Sequence, residues 1–251
     1  AFLVLVVAGG GYLLLKGRAP SEPVSAPIVA TTPTLTPEPI PPPAEPAPVV
    51  DEKPAAPVLP EADKPQGQRT LVFPNNRSMG QLFERDWNAT GAKPWKPIGR
   101  AERTITIPAG KVVKLVVNQS DSKDLSPLVP LGPDALHTLV LIGNDVTDVS
   151  MASLAGMTGL RRLDVNSSGV TDAGLKHLAN LSNLRELSLA GLKMTDEGFS
   201  VINHFPLLES LSVTDCAITN AVLPHVKKLT GLRRLTISGT KVSQEGMTLL
   251  K

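Results

Sequence analysis

The side chains able to do chemistry are few. There are four histidines, His137, His177, His204 and His225, and one cysteine, Cys216. Three aspartates recur at a constant spacing, Asp148, Asp172 and Asp196. Histidine and cysteine would make a metal centre or a nucleophile–base pair if they converged. The aspartates would stack into an oxygen ladder for a divalent cation if their carboxylates were free. Nothing in the spacing points to convergence, because the histidines fall on different phases of the chain or two repeats apart. There is no Cys/His zinc spacing and no Walker, GxSxG, HExxH or GxGxxG context. No cofactor, metal or catalytic residue is expected, and the chain is expected not to be an enzyme. Asn76-Arg77-Ser78 and Asn88-Ala89-Thr90 match the glycosylation sequon by chance.

The elements that hold these residues are set by a period of 24. Leu136, Leu160, Leu184, Leu208 and Leu232 each open the same phrase, as in Leu160-Arg161-Arg162-Leu163-Asp164-Val165. Val112 starts a copy one period earlier. Position four is Leu115, Leu139, Leu163, Leu187, Leu211 and Leu235; position six is Val117, Leu141, Val165, Leu189, Val213 and Ile237. Apolar residues two apart predict a short strand with one buried face. Position eleven, from Val146 onwards, is again apolar.

A polar corner follows each strand: Thr147-Asp148, Thr171-Asp172, Thr195-Asp196, Thr219-Asn220 and Ser243-Gln244. The hydroxyl suits a helix N-cap and the acid suits the first turn of the helix dipole. Residues three apart then predict the buried side of a helix: Leu175, Leu178, Leu181; Phe199, Ile202, Phe205; Leu223, Val226, Leu229. Pro127 and Pro130 break that pattern in the first copy. The corner where such repeats place Asn or Cys holds Ser120, Asn144, Ser168, Leu192, Cys216 and Thr240, so Cys216 reads as a buried corner residue.

Thr171-Asp172-Ala173-Gly174-Leu175-Lys176-His177-Leu178 and Thr195-Asp196-Glu197-Gly198-Phe199 resemble the T-D-x-G-L-x-x-L repeats of leucine-rich repeat proteins. The 24-residue type common in planctomycetes and related bacteria is the nearest in pattern, and it is similar to the cysteine-containing repeats of F-box proteins. The resemblance covers Val112 to Lys251. It implies an α/β solenoid, a curved horseshoe with parallel strands on its concave face and helices on its convex face, and a protein-binding role. No F-box precedes the repeats, so a ubiquitin-ligase role does not follow. Some bacterial relatives carry such repeats beyond the membrane span of a Ser/Thr kinase.

The remainder divides by composition. Residues 1–18 open with AFLVLVVAGGGYLLL, uncharged and ended by Lys16 and Arg18. The run is read as a transmembrane or signal-anchor segment, in preference to a cleaved signal peptide or a buried core helix. Residues 19–66 are a Pro-rich linker: 15 of the chain's 24 prolines fall between Pro20 and Pro65. Proline fixes φ and removes a donor, so an extended, disordered stalk is expected. Residues 67–111 return to apolar character with Leu71-Val72-Phe73, Trp87, Trp95 and the alternating Thr104-Ile105-Thr106-Ile107. They are read as an N-terminal cap over the end of the solenoid. Residues 112–251 are the repeats. The chain begins with Ala and ends inside a repeat, as a fragment or processed product would.

Net charge is +2, and aromatics make up 3% of the chain. Both values argue against a nucleic-acid partner. The expected binding surface is instead the exposed side of the strands, whose positions three, five and seven stack into columns. Position three supplies Lys114, Arg162, Glu186, Ser210 and Arg234. Position five supplies Val140, Asp164, Ser188, Ser212 and Thr236. Position seven supplies Ile142, Asn166, Thr214 and Ser238. The expectation is a membrane-tethered interaction module that takes a protein or surface polymer on this face, with the repeats extracytoplasmic, in the periplasm or at the cell surface. The alternatives are the sensor portion of a bacterial receptor-type Ser/Thr kinase and a structural envelope spacer.

Overall fold

The computed structural model describes residues 3–8, 11–16, 64–89, 94–117, 119–143, 145–166 and 169–250. The Pro-rich linker falls outside these except for its last few residues.

One strand per repeat builds the sheet. After β1 (Leu3–Ala8), β2 (Gly11–Lys16) and β3 (Arg69–Val72) come β4 (Gln81–Asp86), β5 (Lys96–Arg100), β6 (Thr104–Ile107) and β7 (Lys111–Val117). The repeat strands proper are β8 (Thr138–Ile142), β9 (Arg162–Asn166), β10 (Glu186–Ala190), β11 (Ser210–Thr214) and β12 (Arg234–Ser238). Strands β7 to β12 pair in parallel, and residues 24 apart lie opposite one another: Leu163 against Leu187, Leu187 against Leu211, Leu211 against Leu235. A sequence period with no slip thus becomes a sheet register with no slip. Positions four and six point inward along all six strands and are buried.

The cap joins the same sheet. β4 runs antiparallel to β7, and β5 runs antiparallel to β4 at the outer edge, giving the order β12-β11-β10-β9-β8-β7-β4-β5. β3 and β6 form a separate antiparallel pair. Gly80 lets the chain approach β7 closely: its φ is +129°, and a Cβ there would lie 2.0 Å from the Val116 carbonyl oxygen. Leu71, Phe73, Met79, Leu82 and Ile107 from the cap are buried in one core with the repeat leucines.

On the opposite side the five repeats after the first each carry one short helix: α1 (Asp148–Met151), α2 (Asp172–Lys176), α3 (Asp196–Phe199), α4 (Leu223–Lys227) and α5 (Gln244–Met247). They are shorter than the three-apart pattern suggests, and several continue into 3-10 turns, as α3 does through Ser200–His204. The buried triads Leu175/Leu178/Leu181, Phe199/Ile202/Phe205 and Leu223/Val226/Leu229 nonetheless all face the core. A 3-10 turn repeats every three residues, so it buries a three-apart pattern as well as an α-helix does. In the first copy, with its two prolines, this segment is a 3-10 turn, Ser126–Leu131, that buries Leu128.

In the N-terminal run, read from composition as a transmembrane or signal-anchor segment, residues 3–8 and 11–16 are strands. β1 and β2 pair antiparallel as a two-stranded hairpin, with β1 alongside β12. Three consecutive glycines, Gly9 to Gly11, interrupt the apolar run, and each glycine disfavours a helix by about 1 kcal/mol. The valines of Leu3–Ala8 favour a strand. Among the described residues no helix is long and apolar enough to cross a membrane.

Candidate functional site

The candidate site is the face of the sheet left uncovered by the helices. Strand alternation puts Glu186, Ser188 and Ala190 on this face of β10, with Leu187 and Leu189 buried between them. The same holds for Arg162, Asp164 and Asn166 on β9, for Ser210, Ser212 and Thr214 on β11, and for Arg234, Thr236 and Ser238 on β12. Register places Ser188 opposite Asp164 and Ser212, and Thr236 opposite Ser212. The columns anticipated from the sequence therefore stand side by side, at the ~4.8 Å spacing of neighbouring strands. The late columns are small and hydroxylated, so a partner's backbone can approach the sheet. On β8, Val140 is half-buried and Ile142 is 51% exposed, an apolar spot on this face. Thr138, at position three of the same strand, is buried and contacts His137 Nδ1 through its hydroxyl at 2.9 Å.

Arg162 is not a free recognition arginine. Its Nη1 donates to Glu186 on the next strand at 2.6 Å, and its Nε and Nη2 donate to Asp164 on its own strand at 3.1 and 3.0 Å. Burial works against the guanidinium's charge, but the Asp164 and Glu186 carboxylates overcome that and raise its pKa. The three groups form a neutralising lattice in the middle of the face. Arg234, on the edge strand β12, is exposed and makes no ion pair among the described residues.

Three residues outside the repeat frame also belong to this face. β4 alternates Leu82, buried, with Phe83 and Arg85, and Phe83 lies opposite Lys114 in register. The Lys114 ammonium sits 4.3 Å from the Phe83 ring centroid and 5.2 Å from that of Trp95. The Arg85 guanidinium stacks over Trp95 at 4.3 Å. The alternation in Gln81-Leu82-Phe83-Glu84-Arg85 was the available signal. It went unread because the segment lies outside the period.

The remaining chemistry-bearing residues hold the fold together. Asp148, Asp172 and Asp196 do not form a cation ladder, because each carboxylate reaches into the next repeat. Asp148 accepts the Thr171 backbone N–H and hydroxyl, both at 2.7 Å. Asp172 does the same for Thr195 at 2.8 and 2.6 Å, and Asp196 for Thr219, both at 2.7 Å. Each threonine oxygen then accepts the N–H two residues on, as an N-cap. Asn220 accepts the Ser243 backbone N–H in the same way, at 2.8 Å, but its amide Nδ2 donates to the Ser243 hydroxyl at 3.0 Å. Asp124, in the equivalent place in the first copy, instead bonds Arg77 at 2.5 Å and the Ser126 N–H. Thr147 is accordingly capped by a reciprocal box with Ser150.

This arrangement accounts for the glycine of T-D-x-G. A Cβ at Gly174 would lie 2.4 Å from Asp148 Oδ1, and one at Gly198 2.1 Å from Asp172 Oδ1. Where Val222 takes that place, the helix starts through a 3-10 turn, Asn220–Val222.

Cys216 is buried, its Sγ against the Thr214 carbonyl at 3.2 Å, and burial pushes its thiol pKa up. That environment disfavours a thiolate nucleophile. Among the described residues no group of three or more His, Cys, Asp and Glu could hold a metal ion.

Residues 157–179 match the family model described as Leucine Rich repeat. No curated protein matches the chain. Among solved structures, it is similar to an internalin from Listeria monocytogenes, at 25% identity and TM-score 0.37 over 51% of this chain and 42% of that one. A second, internalin C2 of the same organism, gives 21% identity and TM-score 0.39 over 51% and 62%. The leucine-rich repeat ectodomain of the receptor kinase SOBIR1 from Arabidopsis thaliana gives 15% identity and TM-score 0.34 over 66% and 85%. The chain spans 42% and 62% of the two internalins.

Proposed function

We propose that this chain of leucine-rich repeats is a non-enzymatic recognition module that binds a protein or surface polymer on its concave sheet face, tethered to a membrane by its N-terminal segment, with the repeats outside the cytoplasm. The observation that carries the reading is the sheet face itself. Strands β10, β11 and β12, parallel and in unbroken register, present Ser188, Ser210, Ser212, Thr214, Thr236 and Ser238, all half-buried, on the face away from the helices. Small side chains admit a partner's backbone, and Arg234 at the edge is of the type enriched at recognition surfaces. The membrane tether is supported by composition alone: an apolar run closed by Lys16 and Arg18, then a proline-rich stretch.

The test is partner capture by two double variants. Ser188→Arg with Ser212→Arg fills the centre of the concave face, and Lys227→Glu with Lys228→Glu changes the exposed convex side. The expected result is loss of capture from envelope extracts with the first pair only, at unchanged melting temperature. Loss with the convex pair alone would place the binding face on the helices.

A further inference from the structure

The cap end of the concave face differs in kind from its middle. In the middle, Arg162 is held by two carboxylates, Asp164 and Glu186. At the cap end, Arg85 and Lys114 have aromatic rings beneath them and, among the described residues, no carboxylate at ion-pair distance; Glu186 and Asp164 act on them only from further off. The two cations share one ring, at 4.3 and 5.2 Å from the Trp95 centroid. Arg85 Nε is buried without a hydrogen-bond acceptor.

We propose that this end of the face is a docking site for an acidic peptide segment of a partner protein, with Arg85 and Lys114 taking carboxylates from alternate positions of an extended chain. The inference rests on the concave face being the binding surface and adds the chemistry of what it binds. Side chains two apart in a strand point the same way and lie about 7 Å apart, a spacing two cations over one indole can serve. Stacking on Phe83 and Trp95 fixes both cations before binding, so less conformational freedom is lost when a carboxylate arrives. Burial, then the neighbouring Arg162 and Arg85 charges, lower the Lys114 pKa against the pull of Asp164, and an incoming anion relieves that crowding. The same observations disfavour a polyphosphate chain. Two cations are too few for a nucleic-acid backbone, where tight binding draws on about 6–10 phosphate contacts.

The test uses the full chain and a fluorescently labelled octapeptide of alternating Glu and Thr, followed by anisotropy. Saturable binding is expected, weakening as salt rises from about 20 to about 200 mM. Arg85→Gln with Lys114→Gln should weaken it by about tenfold or more, while Lys114→Arg should retain it. An alternating Gln/Thr octapeptide should not bind. The proposal is overturned if the wild-type chain binds no peptide, or if the double variant, folded by circular dichroism, binds as well as wild type. Equal binding of the Gln/Thr peptide, or tighter binding of inorganic polyphosphate, overturns it too. A partner captured through Ser188 and Ser212 in the absence of peptide binding would leave the recognition role standing and remove only this site.

Discussion

Asp172 holds Thr195 twice, across the boundary between two repeats. Its Oδ1 accepts the Thr195 backbone N–H at 2.8 Å, and its Oδ2 accepts the Thr195 hydroxyl at 2.6 Å. The hydroxyl oxygen in turn caps the Glu197 N–H at 3.3 Å. One carboxylate therefore fixes where the next helix starts. Asp172→Ala leaves two donors without that acceptor and is expected to lower stability by about 1–3 kcal/mol in a denaturant melt. Asp172→Asn should cost less, since Asn220 fills this role for Ser243 with its own amide. Equal losses in the two variants would mean that the contact is incidental.

Gly198 is the other half of that device. Replacing a helical glycine with alanine ordinarily gains roughly 0.5–1 kcal/mol. Here the new Cβ would meet Asp172 Oδ1 at 2.1 Å. Gly198→Ala is expected to destabilise by about 1–3 kcal/mol. In the Asp172→Ala background the penalty should shrink or change sign, because the obstructing oxygen is gone. A double-mutant cycle by thermal or chemical melts reads the coupling, and simple additivity would contradict the packing argument.

Acid should loosen the same ladder at Asp148. Burial acts to raise the pKa of this carboxyl, but the Thr171 N–H and hydroxyl and the Gly174 N–H outweigh it and hold it below the usual carboxylate range. A depressed folded pKa stabilises the protein above the unfolded value near ~4 and loses that contribution as pH falls through the folded value. The melting temperature of wild type should thus fall below about pH 4 more steeply than that of Asp148→Asn. Parallel acid profiles for the two proteins would show that Asp148 does not carry the effect.

The repeat architecture was legible because strand burial has a period of two and the copies a period of 24, so Leu163, Leu187 and Leu211 announce both a strand and its neighbour. The role of the aspartates was only half legible. Within one copy, Asp172 reads as a first-turn acid for its own helix; its partner Thr195 lies 23 residues away. The pairing of an acid in one copy with glycine in the next, as in Asp148 with Gly174, was the available hint. Arg162 is expected from its position to face a partner, although Asp164 two residues on and Glu186 one copy on share its face by spacing alone.

The claim that matters most for function is that partners meet the strands and not the helices. A photo-crosslinking phenylalanine analogue in place of Ser212, at the centre of β11, tests it against the same analogue in place of Lys227 on the exposed side of α4. With both proteins expressed in their native envelope and irradiated, adducts to a partner are expected from the Ser212 position and not from the Lys227 position. Adducts from the Lys227 position alone would contradict the assignment of the concave face.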